Sequence, residues 1–561
     1  MIVRFARAGR AVRRLLVLVS AAAVIAVTLG TGASAATPHN GPTRQEFMTK
    51  LLERQHGKLL SASARLGLRA IAAGDRAEKD TDKGLSGGEA KRASGGGSGL
   101  PTAGVANVRV NNPATDTNQV DQTTQSETAM AVSGRNIVVG YNDSQHTLPG
   151  LTAGSNLTGY SYSTDGGATF TDGGALPNLP EFINLGDPWL GSDRSGAMYF
   201  SNLAIDFVNG NLDIAVATSS DGGRTWGAAK PIVRPNFDVF YSGDKEALAV
   251  GPDPKKSNRD NVYVAWDDFS FDARACAEQN ICQQINGLPV ARSTDGGATW
   301  QVTYADKFVA DFNDPNLGCS FGQYIGAYPI VDHANGDLYV AAERFAVDDP
   351  TCTGGTFTSD ISVFRSTDGG VTFGSRVKIA DVTPSFAAGA LVLGPAQYVR
   401  NLEFPTLAFA GNALFAAWND GASGNSHIAL AKSTNHAGSW TVSPVTAGTN
   451  DEFQPALSGD AAGLHLLYYR RNADNTLDAV VGNSTNGNTF DAHRVSTVAF
   501  PGVPTLPQFD PIIAFTYMGD YIANVSDGSH RYFAWGDNRD TVTNFLWSAG
   551  RHDPNVYFGK Q

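Results

Sequence analysis

One eight-residue segment recurs along the chain, and this recurrence limits the possible folds more than any other feature of the sequence. The four closest copies have the form Ser-Thr/Ser-Asp-Gly-Gly-x-Thr-Phe/Trp and are Ser163–Phe170, Ser219–Trp226, Ser293–Trp300 and Ser366–Phe373. Two looser copies with Asn in place of Asp are Ser433–Trp440 and the one-residue-shorter Ser484–Phe490. Successive copies begin 51 to 74 residues apart, which suits one four-stranded sheet with its loops.

The residue types of this segment are those of a tight turn between two strands. An Asp side chain accepts hydrogen bonds from backbone N–H groups of its own turn, and paired glycines adopt positive φ without strain. The closing aromatic residue can then pack between neighbouring sheets. We therefore expect the Asp residues of the segment to be structural and not catalytic.

A second pattern precedes each copy of the segment. An acidic or polar residue stands before a short strand, and the next strand ends in an aromatic residue and a polar cluster. The unit starts are Glu127, Asp187, Asp244 with Glu246, Tyr324, Glu403, Glu452 and Asp520. The seventh unit, Gly519–Arg539, keeps this pattern without the eight-residue segment. The chain beyond residue 105 is therefore predicted to be an all-β propeller with seven blades, closed by a strand within Ala106–Asn111.

The recurrent segment resembles the Asp box, or BNR repeat, of sialidases and many other β-propellers. The resemblance covers most of residues 120–560 and implies that these turns are peripheral and form the fold. Because sialidases have six blades, six blades remain the alternative to seven. Sialidases hold the carboxylate of sialic acid with three arginines, use a Tyr assisted by a Glu as nucleophile and an Asp as acid/base, and carry an Arg-Ile-Pro motif before the first box. This chain has no Arg-Ile-Pro.

The resemblance implies candidate residues by type, although none of them lies in a matching motif. The candidates for the arginine cluster are Arg344, Arg471 and Arg539. The candidates for the nucleophile are Tyr324, Tyr517 and Tyr521. Glu403, at the start of the fifth unit, is the acidic candidate.

Blade topology predicts where such residues meet. If the recurrent segment joins the third strand of each blade to the fourth, antiparallel pairing places the start of the innermost strand at the opposite end of the central channel. The end of the second strand lies at that same end. We therefore expect acidic residues and arginines from all units to line one mouth of the channel.

An acidic mouth has three interpretations. The carboxylates can satisfy loop backbone groups and arginines around a water-filled channel. They can bind a hard cation such as calcium, although no loop has the spacing of an EF-hand; the candidate ligands are Asp187, Asp244, Asp268 and Asp520. They can also hydrolyse a glycoside, in which a protonated acid faces a nucleophile or base across the sugar and no cofactor is required.

The first 104 residues differ in composition from the rest. Basic residues up to Arg14, an apolar run that begins at Leu15 and a small-residue site at residues 33–35 predict a signal peptide over residues 1–35, with an uncleaved anchor as the alternative. Residues 36–74 have the spacing of an amphipathic helix, and residues 75–104 have the composition of a flexible linker. The propeller then covers residues 105–561. We expect a secreted protein without a membrane span after cleavage.

Cysteines and net charge narrow the chemistry further. In an exported protein the cysteines are expected to pair, and their spacing favours Cys276 with Cys282 and Cys319 with Cys352, one of three pairings. A formal net charge of −12 argues against nucleic acid or an anionic membrane as partner.

Two functional hypotheses follow from the sequence. The first is a sialidase-like exo-glycosidase that acts outside the cell on a glycan or glycoprotein. The second is a non-catalytic propeller, expected like the first to be a monomer, that binds carbohydrate or protein. An arginine cluster that faces a Tyr–Glu pair favours the enzyme, whereas spaced carboxylates without arginines favour binding or cation coordination.

Overall fold

The computed structural model describes most of the predicted propeller. The described residues are 100–116, 123–146, 154–207, 210–232, 239–272, 284–309, 321–348, 356–385, 390–394, 397–502, 518–543 and 550–561. The predicted signal peptide, the predicted helix within residues 36–74, residues 75–99 of the linker, the four cysteines and Tyr517 lie outside these residues.

Seven consecutive antiparallel sheets, here called blades 1 to 7, follow a short first strand, β1 (Val108–Arg109). Blade 1 contains β2 (Gln125–Ser133), β3 (Asn136–Asp143), β4 (Thr158–Ser163) and β5 (Thr171–Ala175). Blade 2 contains β6 (Phe182–Asn184), β7 (Trp189–Ser192), β8 (Met198–Asp206), β9 (Asn211–Ser219) and β10 (Lys230–Pro231). Blade 3 contains β11 (Val239–Phe240), β12 (Gly243–Asp253), β13 (Lys256–Asp272), β14 (Gln284–Ser293) and β15 (Gln301–Val309). Blade 4 contains β16 (Phe321–Val331), β17 (Leu338–Asp348), β18 (Thr356–Ser366) and β19 (Val377–Asp381).

A separate hairpin, β20 (Ala390–Gly394) and β21 (Gln397–Arg400), stands between blades 4 and 5. Blade 5 contains β22 (Thr406–Ala410), β23 (Ala413–Asp420), β24 (His427–Ser433) and β25 (Thr441–Pro444). Blade 6 contains β26 (Glu452–Asp460), β27 (Gly463–Arg471), β28 (Thr476–Ser484), β29 (Asp491–Arg494) and β30 (Phe500–Pro501). Blade 7 contains β31 (Ala523–Ser526), β32 (Arg531–Val542) and β33 (Arg551–Lys560).

The N-terminal strand β1 supplies the fourth strand of blade 7. Val108 stands opposite Phe558 and Arg109 opposite Tyr557 in antiparallel register. Asn111 strengthens this closure, because its side-chain oxygen accepts a hydrogen bond from the backbone N–H of Val556 at 2.9 Å. The predictions of seven blades and of a closing strand within Ala106–Asn111 are confirmed.

The core lies between the blades, where the second strands are covered on both faces. Because a strand that is buried on both faces needs no polar side, these strands are almost continuously apolar. Trp266, Trp418 and Trp535 lie in the second strands β13, β23 and β32 of their blades and are fully buried. Between blades 1 and 2, the ring of Trp226 packs edge-on against Tyr160, with 6.2 Å between ring centroids.

The recurrent segment forms the turn between the third and fourth strands, as predicted. In the first copy, Asp165 accepts hydrogen bonds from the Thr169 backbone at 3.0 Å and the Thr169 hydroxyl at 2.6 Å. Ser163 donates to the same carboxylate at 2.7 Å and accepts from the Gly167 N–H at 2.9 Å. The same bonds recur around Asp221, Asp295 and Asp368. The carboxylate of each of these Asp residues is therefore hydrogen-bonded within its own turn.

The helices found in the described residues are two single turns of 3-10 helix, Pro113–Thr115 and Ser144–His146. Neither approaches the length or the apolar character needed to cross a membrane, and the described residues contain no other candidate span.

Candidate functional site

The recurrent turns and the starts of the innermost strands lie at opposite ends of the channel, as predicted. The backbone N–H of Gly166, in the first turn, donates to the carbonyl of Arg135 at 3.0 Å. Arg135 lies in the connection from β2 to β3, so the turn sits where the innermost strand ends. At the other end, the Asn142 side chain on β3 donates to Glu127 on β2 at 2.8 Å. We call this second end the mouth.

Four innermost strands have a β-bulge at the same place near the mouth. In β2, β12, β16 and β26 two residues stand opposite one residue of the second strand. The first bulge residues, Glu127, Lys245, Gly326 and Gln454, have φ of 53°, 42°, 67° and 51°, and Asp187, between β6 and β7, has φ of 54°. Left-handed backbone costs a non-glycine residue about 1–2 kcal/mol. The fold therefore holds four polar side chains at the mouth against strain, a pattern typical of functional sites.

Four carboxyl groups and one guanidinium come together at the mouth. We call Glu127, Asp187, Glu246, Asp520 and Arg400 the acid cluster. They come from blades 1, 2 and 3, from the start of blade 7 and from β21, respectively. The Asp520 backbone donates to Glu127 Oε1 at 3.0 Å, and Arg400 Nη1 lies 3.0 Å from Asp520 Oδ2.

The charges of two other members of the acid cluster act on Glu127. Burial raises the pKa of Glu127 well above its ordinary value, and the charges of Asp187 and Asp520 raise the pKa further. Arg400 lowers this pKa by a smaller amount. The raised pKa favours the protonated form of Glu127, which can donate a hydrogen bond to the neighbouring Asp187.

Two members of the acid cluster have few hydrogen-bond donors from the protein. Asp187 and Glu246 are both 0% exposed. Within the described part of the chain, the carboxyl of Asp187 is hydrogen-bonded only to the carboxyl of Glu127, and that of Glu246 only to its own backbone N–H. Burial and the charge of Asp187 raise the pKa of Glu246 well above its ordinary value. Because an unpaired buried carboxylate is costly, this pair is suited to hold a proton or to accept a donor from a ligand.

A cavity of about 120 Å³ occupies the central channel beside the acid cluster. All seven blades contribute to it, and its aromatic walls are Trp189, Tyr328, Phe404 and Tyr521. The Lys245 ammonium lies against three of these rings, at 4.1 Å from the ring centre of Tyr521, 4.6 Å from Trp189 and 5.6 Å from Phe404.

Tyr521 connects the cavity with the acid cluster. Its hydroxyl donates to the carbonyl of Pro188 at 2.9 Å. Burial raises the pKa of Tyr521 well above its ordinary value, as do the charges of the surrounding carboxylates, of which Glu127 contributes most. Tyr521 therefore lies at the site, as the sequence suggested, but as a neutral phenol.

The three predicted arginines do not form a cluster. They lie at the ends of second strands in blades 4, 6 and 7. Each pairs with an aspartate of its own unit: Arg344 with Asp360 at 3.6 Å, Arg471 with Asp451 at 3.1 Å, and Arg539 with Asp537 at 2.5 Å. The guanidinium that joins the acid cluster is that of Arg400.

Tyr324 and Glu403 are both buried outside the acid cluster. The Tyr324 hydroxyl donates to Asp306 at 2.6 Å, and its ring packs on Phe308 with 5.0 Å between centroids. Glu403 lies at the start of blade 5 and accepts a hydrogen bond from the Ser385 backbone at 2.7 Å. Burial raises the pKa of Glu403 to about 7.

The four predicted metal ligands do not converge. Asp187 and Asp520 belong to the acid cluster, whereas Asp244 accepts from the Lys245 backbone at 2.9 Å and Asp268 accepts from the Tyr304 hydroxyl at 2.8 Å. The described ranges contain no group of three or more His, Cys, Asp or Glu side chains placed to hold a metal ion.

Sequence reasoning missed Lys245, Arg400 and Trp189. Lys245 and Trp189 could have been found by aligning the starts of the innermost strands, since Lys245 is at the bulge position and Trp189 follows Asp187, the residue of blade 2 with the same left-handed backbone, by two positions. Arg400 gave no signal, because it lies on a hairpin inserted between two units and outside the repeat pattern.

No protein-family model matches the chain. A xyloglucanase of Hypocrea jecorina (strain QM6a) is 26% identical over 314 residues, which are 54% of this chain and 34% of that protein. The chain thus spans about a third of the length of the curated relative it matches.

The chain is also similar to solved structures. The alpha-L-arabinanase of Penicillium chrysogenum, complexed with arabinobiose, is 15% identical and covers 67% of this chain and 98% of its own, with a TM-score of 0.41. The intramolecular trans-sialidase of Ruminococcus gnavus is 10% identical over 66% of this chain and 94% of its own, with a TM-score of 0.37. The endosialidase of phage phi92 is 9% identical over 81% of this chain and 68% of its own, with a TM-score of 0.40.

Proposed function

We propose that this protein is a glycoside hydrolase whose active site is the acid cluster at the mouth. The observation that carries the proposal is the pair Asp187 and Glu246, two fully buried carboxyl groups beside an aromatic cavity that receive no hydrogen bond from a hydroxyl, an amide side chain or another residue's backbone in the described ranges. Glycoside hydrolysis needs two carboxyl groups, one protonated and one able to act as base or nucleophile. The sequence similarity to a xyloglucanase supports a glycan as the substrate.

The two carboxyl groups have distinct roles in this proposal. Glu246 is the general acid, because burial and the charge of Asp187 raise its pKa and favour its protonated form. It would donate its proton to the leaving-group oxygen as the glycosidic bond breaks. Asp187 is the base or nucleophile on the other side of the sugar, and the hydrogen bond with Glu127 holds it in position.

A sialidase-like mechanism has weaker support from the same residues. Tyr521 and Glu127 lie together near Arg400. These three residues have the types of a sialidase Tyr–Glu pair with one of its three arginines. The arginines expected for the sialic acid carboxylate, Arg344, Arg471 and Arg539, are tied to aspartates elsewhere. We therefore favour neutral glycans as substrates, with sialosides as the test of the alternative.

Binding without hydrolysis is the second candidate function. It is favoured by one observation, the complete burial of Asp187 and Glu246, since a catalytic pair has to reach its substrate. For either function we infer a monomer that acts on a glycan or glycoprotein. We also infer that it acts outside the cell, and this location rests on the predicted signal peptide.

The test is hydrolysis of xyloglucan, arabinan and a panel of fluorogenic glycosides, sialosides included, by the purified protein. Asp187→Asn and Glu246→Gln should each lower the turnover of the preferred substrate by about 10²- to 10⁴-fold. Asp295→Asn, the same change in a recurrent turn at the opposite end, should leave turnover unchanged. Absence of turnover on the whole panel, or full activity of both mouth variants, would overturn the proposed hydrolase; retained glycan binding without turnover would select the second candidate.

A further inference from the structure

Two buried polar groups in the central cavity have hydrogen-bonding capacity left over in the described part of the chain. Lys245 is 4% exposed, and its charge acts on the carboxyl groups of Glu246 and Asp267, but no hydrogen bond of its ammonium is found there. Gln454 is 3% exposed, and its Oε1 accepts no hydrogen bond. Its Nε2 donates to the carbonyl of Gly519 at 2.7 Å, so the amide orientation is fixed with the oxygen left over.

The aromatic rings around Lys245 do not satisfy its donors. Trp189, Phe404 and Tyr521 attract the ammonium through their π faces, but a π face is a poor substitute for an oxygen acceptor. Three further polar side chains of the cavity wall are already engaged: Thr128 donates to the carbonyl of Ala534, Asn524 donates to the carbonyl of His465, and Asp520 pairs with Arg400. A donor on blade 3 and an acceptor on blade 6 are therefore left open across one cavity.

The chemistry of this pair selects a class of ligand. An anionic ligand would meet the Gln454 oxygen and the Asp520 carboxylate in the same cavity, and a cationic ligand would meet the Lys245 ammonium. A neutral polyhydroxylated ring suits both, because each hydroxyl both accepts and donates hydrogen bonds. Aromatic walls suit the apolar faces of such a ring.

We propose that the central cavity binds one neutral sugar unit, with Lys245 donating to one hydroxyl and Gln454 accepting from another. The choice of a sugar as the ligand class rests on the proposed function. Lys245 and Gln454 are then specificity-determining residues, and the acid cluster lies directly beside the bound unit because Asp520 and Tyr521 border both.

The experiment measures binding of D-xylose, L-arabinose and D-galactose to the full chain by saturation-transfer NMR, with D-glucuronate and D-glucosamine as charged comparisons. Lys245→Met and Gln454→Leu should each weaken binding of the best neutral sugar about tenfold, the effect expected for one lost hydrogen bond to a buried group. Lys432→Met is the matched control, because Lys432 also lies over an aromatic ring, that of Phe415, but away from the cavity.

Two further variants distinguish a loss of sugar binding from misfolding and from a loss of turnover. Lys245→Arg keeps the charge and should retain more affinity than Lys245→Met; if Lys245→Met does not fold, Gln454→Leu alone decides. The double variant Asp187→Asn/Glu246→Gln should lose turnover but keep sugar binding. Failure of the wild type to bind any neutral sugar, stronger binding of a charged sugar, or unchanged affinity in both cavity variants would overturn the inference. Sugar binding without turnover by the wild type would sustain it while removing the proposed hydrolase.

Discussion

The backbone N–H of Asp520 donates a 3.0 Å hydrogen bond to the carboxyl of Glu127, a residue 393 positions earlier in the chain. This bond joins the last blade to the first within the acid cluster. The candidate site is therefore complete only when the ring is closed, and its geometry depends on the strand β1 that closes it. Ring closure, the packing between blades and the titration of the carboxyl groups of Asp368 and Glu403 can each be tested.

Asn111→Ala is expected to destabilise the ring closure. The Asn111 side chain accepts from the Val556 backbone at 2.9 Å and donates to Asn555 at 2.7 Å, and it is buried, so both partners lose a bond. The free energy of unfolding should fall by about 2–3 kcal/mol, measured by urea denaturation. Asn112→Ala, one residue on and exposed, should cost less than half of this, and equal effects would show that β1 does not close the ring.

Gly223→Ala should disrupt the contact between blades 1 and 2. Gly223 has φ of 82°, and a Cβ there would lie 2.0 Å from Val138 Cγ2. Backbone strain and overpacking together should lower the free energy of unfolding by about 3 kcal/mol. Gly174→Ala is the control, because Gly174 has φ of 71° but no atom within 4 Å, and it should cost only about 1 kcal/mol. A similar loss in both variants would contradict tight packing of the turn.

Asp368→Asn should destabilise the protein most above pH 4. Partial burial acts to raise the pKa of Asp368, but hydrogen bonds from Thr372 and Ser366 outweigh it and lower the pKa to about 2. A lowered pKa favours the ionised folded state, so this stabilisation is present above about pH 4 and disappears as the pH falls towards 2. Because the site is partly exposed, we expect about 1 kcal/mol, measured as the difference in thermal stability between variant and wild type. A difference that does not change between pH 2.5 and 6 would rule out this account.

Glu403→Gln should change the dependence of stability on pH in the opposite direction. Burial raises the pKa of Glu403 from 4.5 to about 7, so the folded state favours its protonated form. This contribution is present below about pH 4.5 and is lost as the pH rises through 7. Glutamine cannot ionise, so the Tm of the variant relative to wild type should rise by several degrees between pH 5 and pH 8. A constant Tm difference over that interval would show that Glu403 titrates normally.

Much of the fold could be read from the sequence because its signals are local. The paired glycines, the aspartate and the closing aromatic of Ser163–Phe170 specify one turn, and their recurrence specifies the number and order of the blades. The closing strand within Ala106–Asn111 could be predicted for a related reason, since blade 7 lacked a fourth strand.

The site could be predicted only in outline. Antiparallel topology placed the acidic unit starts at one mouth, and Asp187, Asp520 and Tyr521 do meet there. The predicted cluster of Arg344, Arg471 and Arg539 does not form, because each guanidinium finds a nearer carboxylate within its own unit. Residue type does not reveal with which of several oppositely charged neighbours a long side chain will form an ion pair.

The sequence by itself determined the turns, the seven-fold repeat and the end of the channel at which charge collects, because these follow from hydrogen bonds and periodicities within a few residues. Tertiary structure alone decided that Glu127 faces Asp520 and that Arg400 reaches the acid cluster. It also decided that Lys245 lies among aromatic rings of three other blades. Such contacts join residues that are distant in the chain, and they arise only when the bulges and the closure of the ring fix the direction of each side chain.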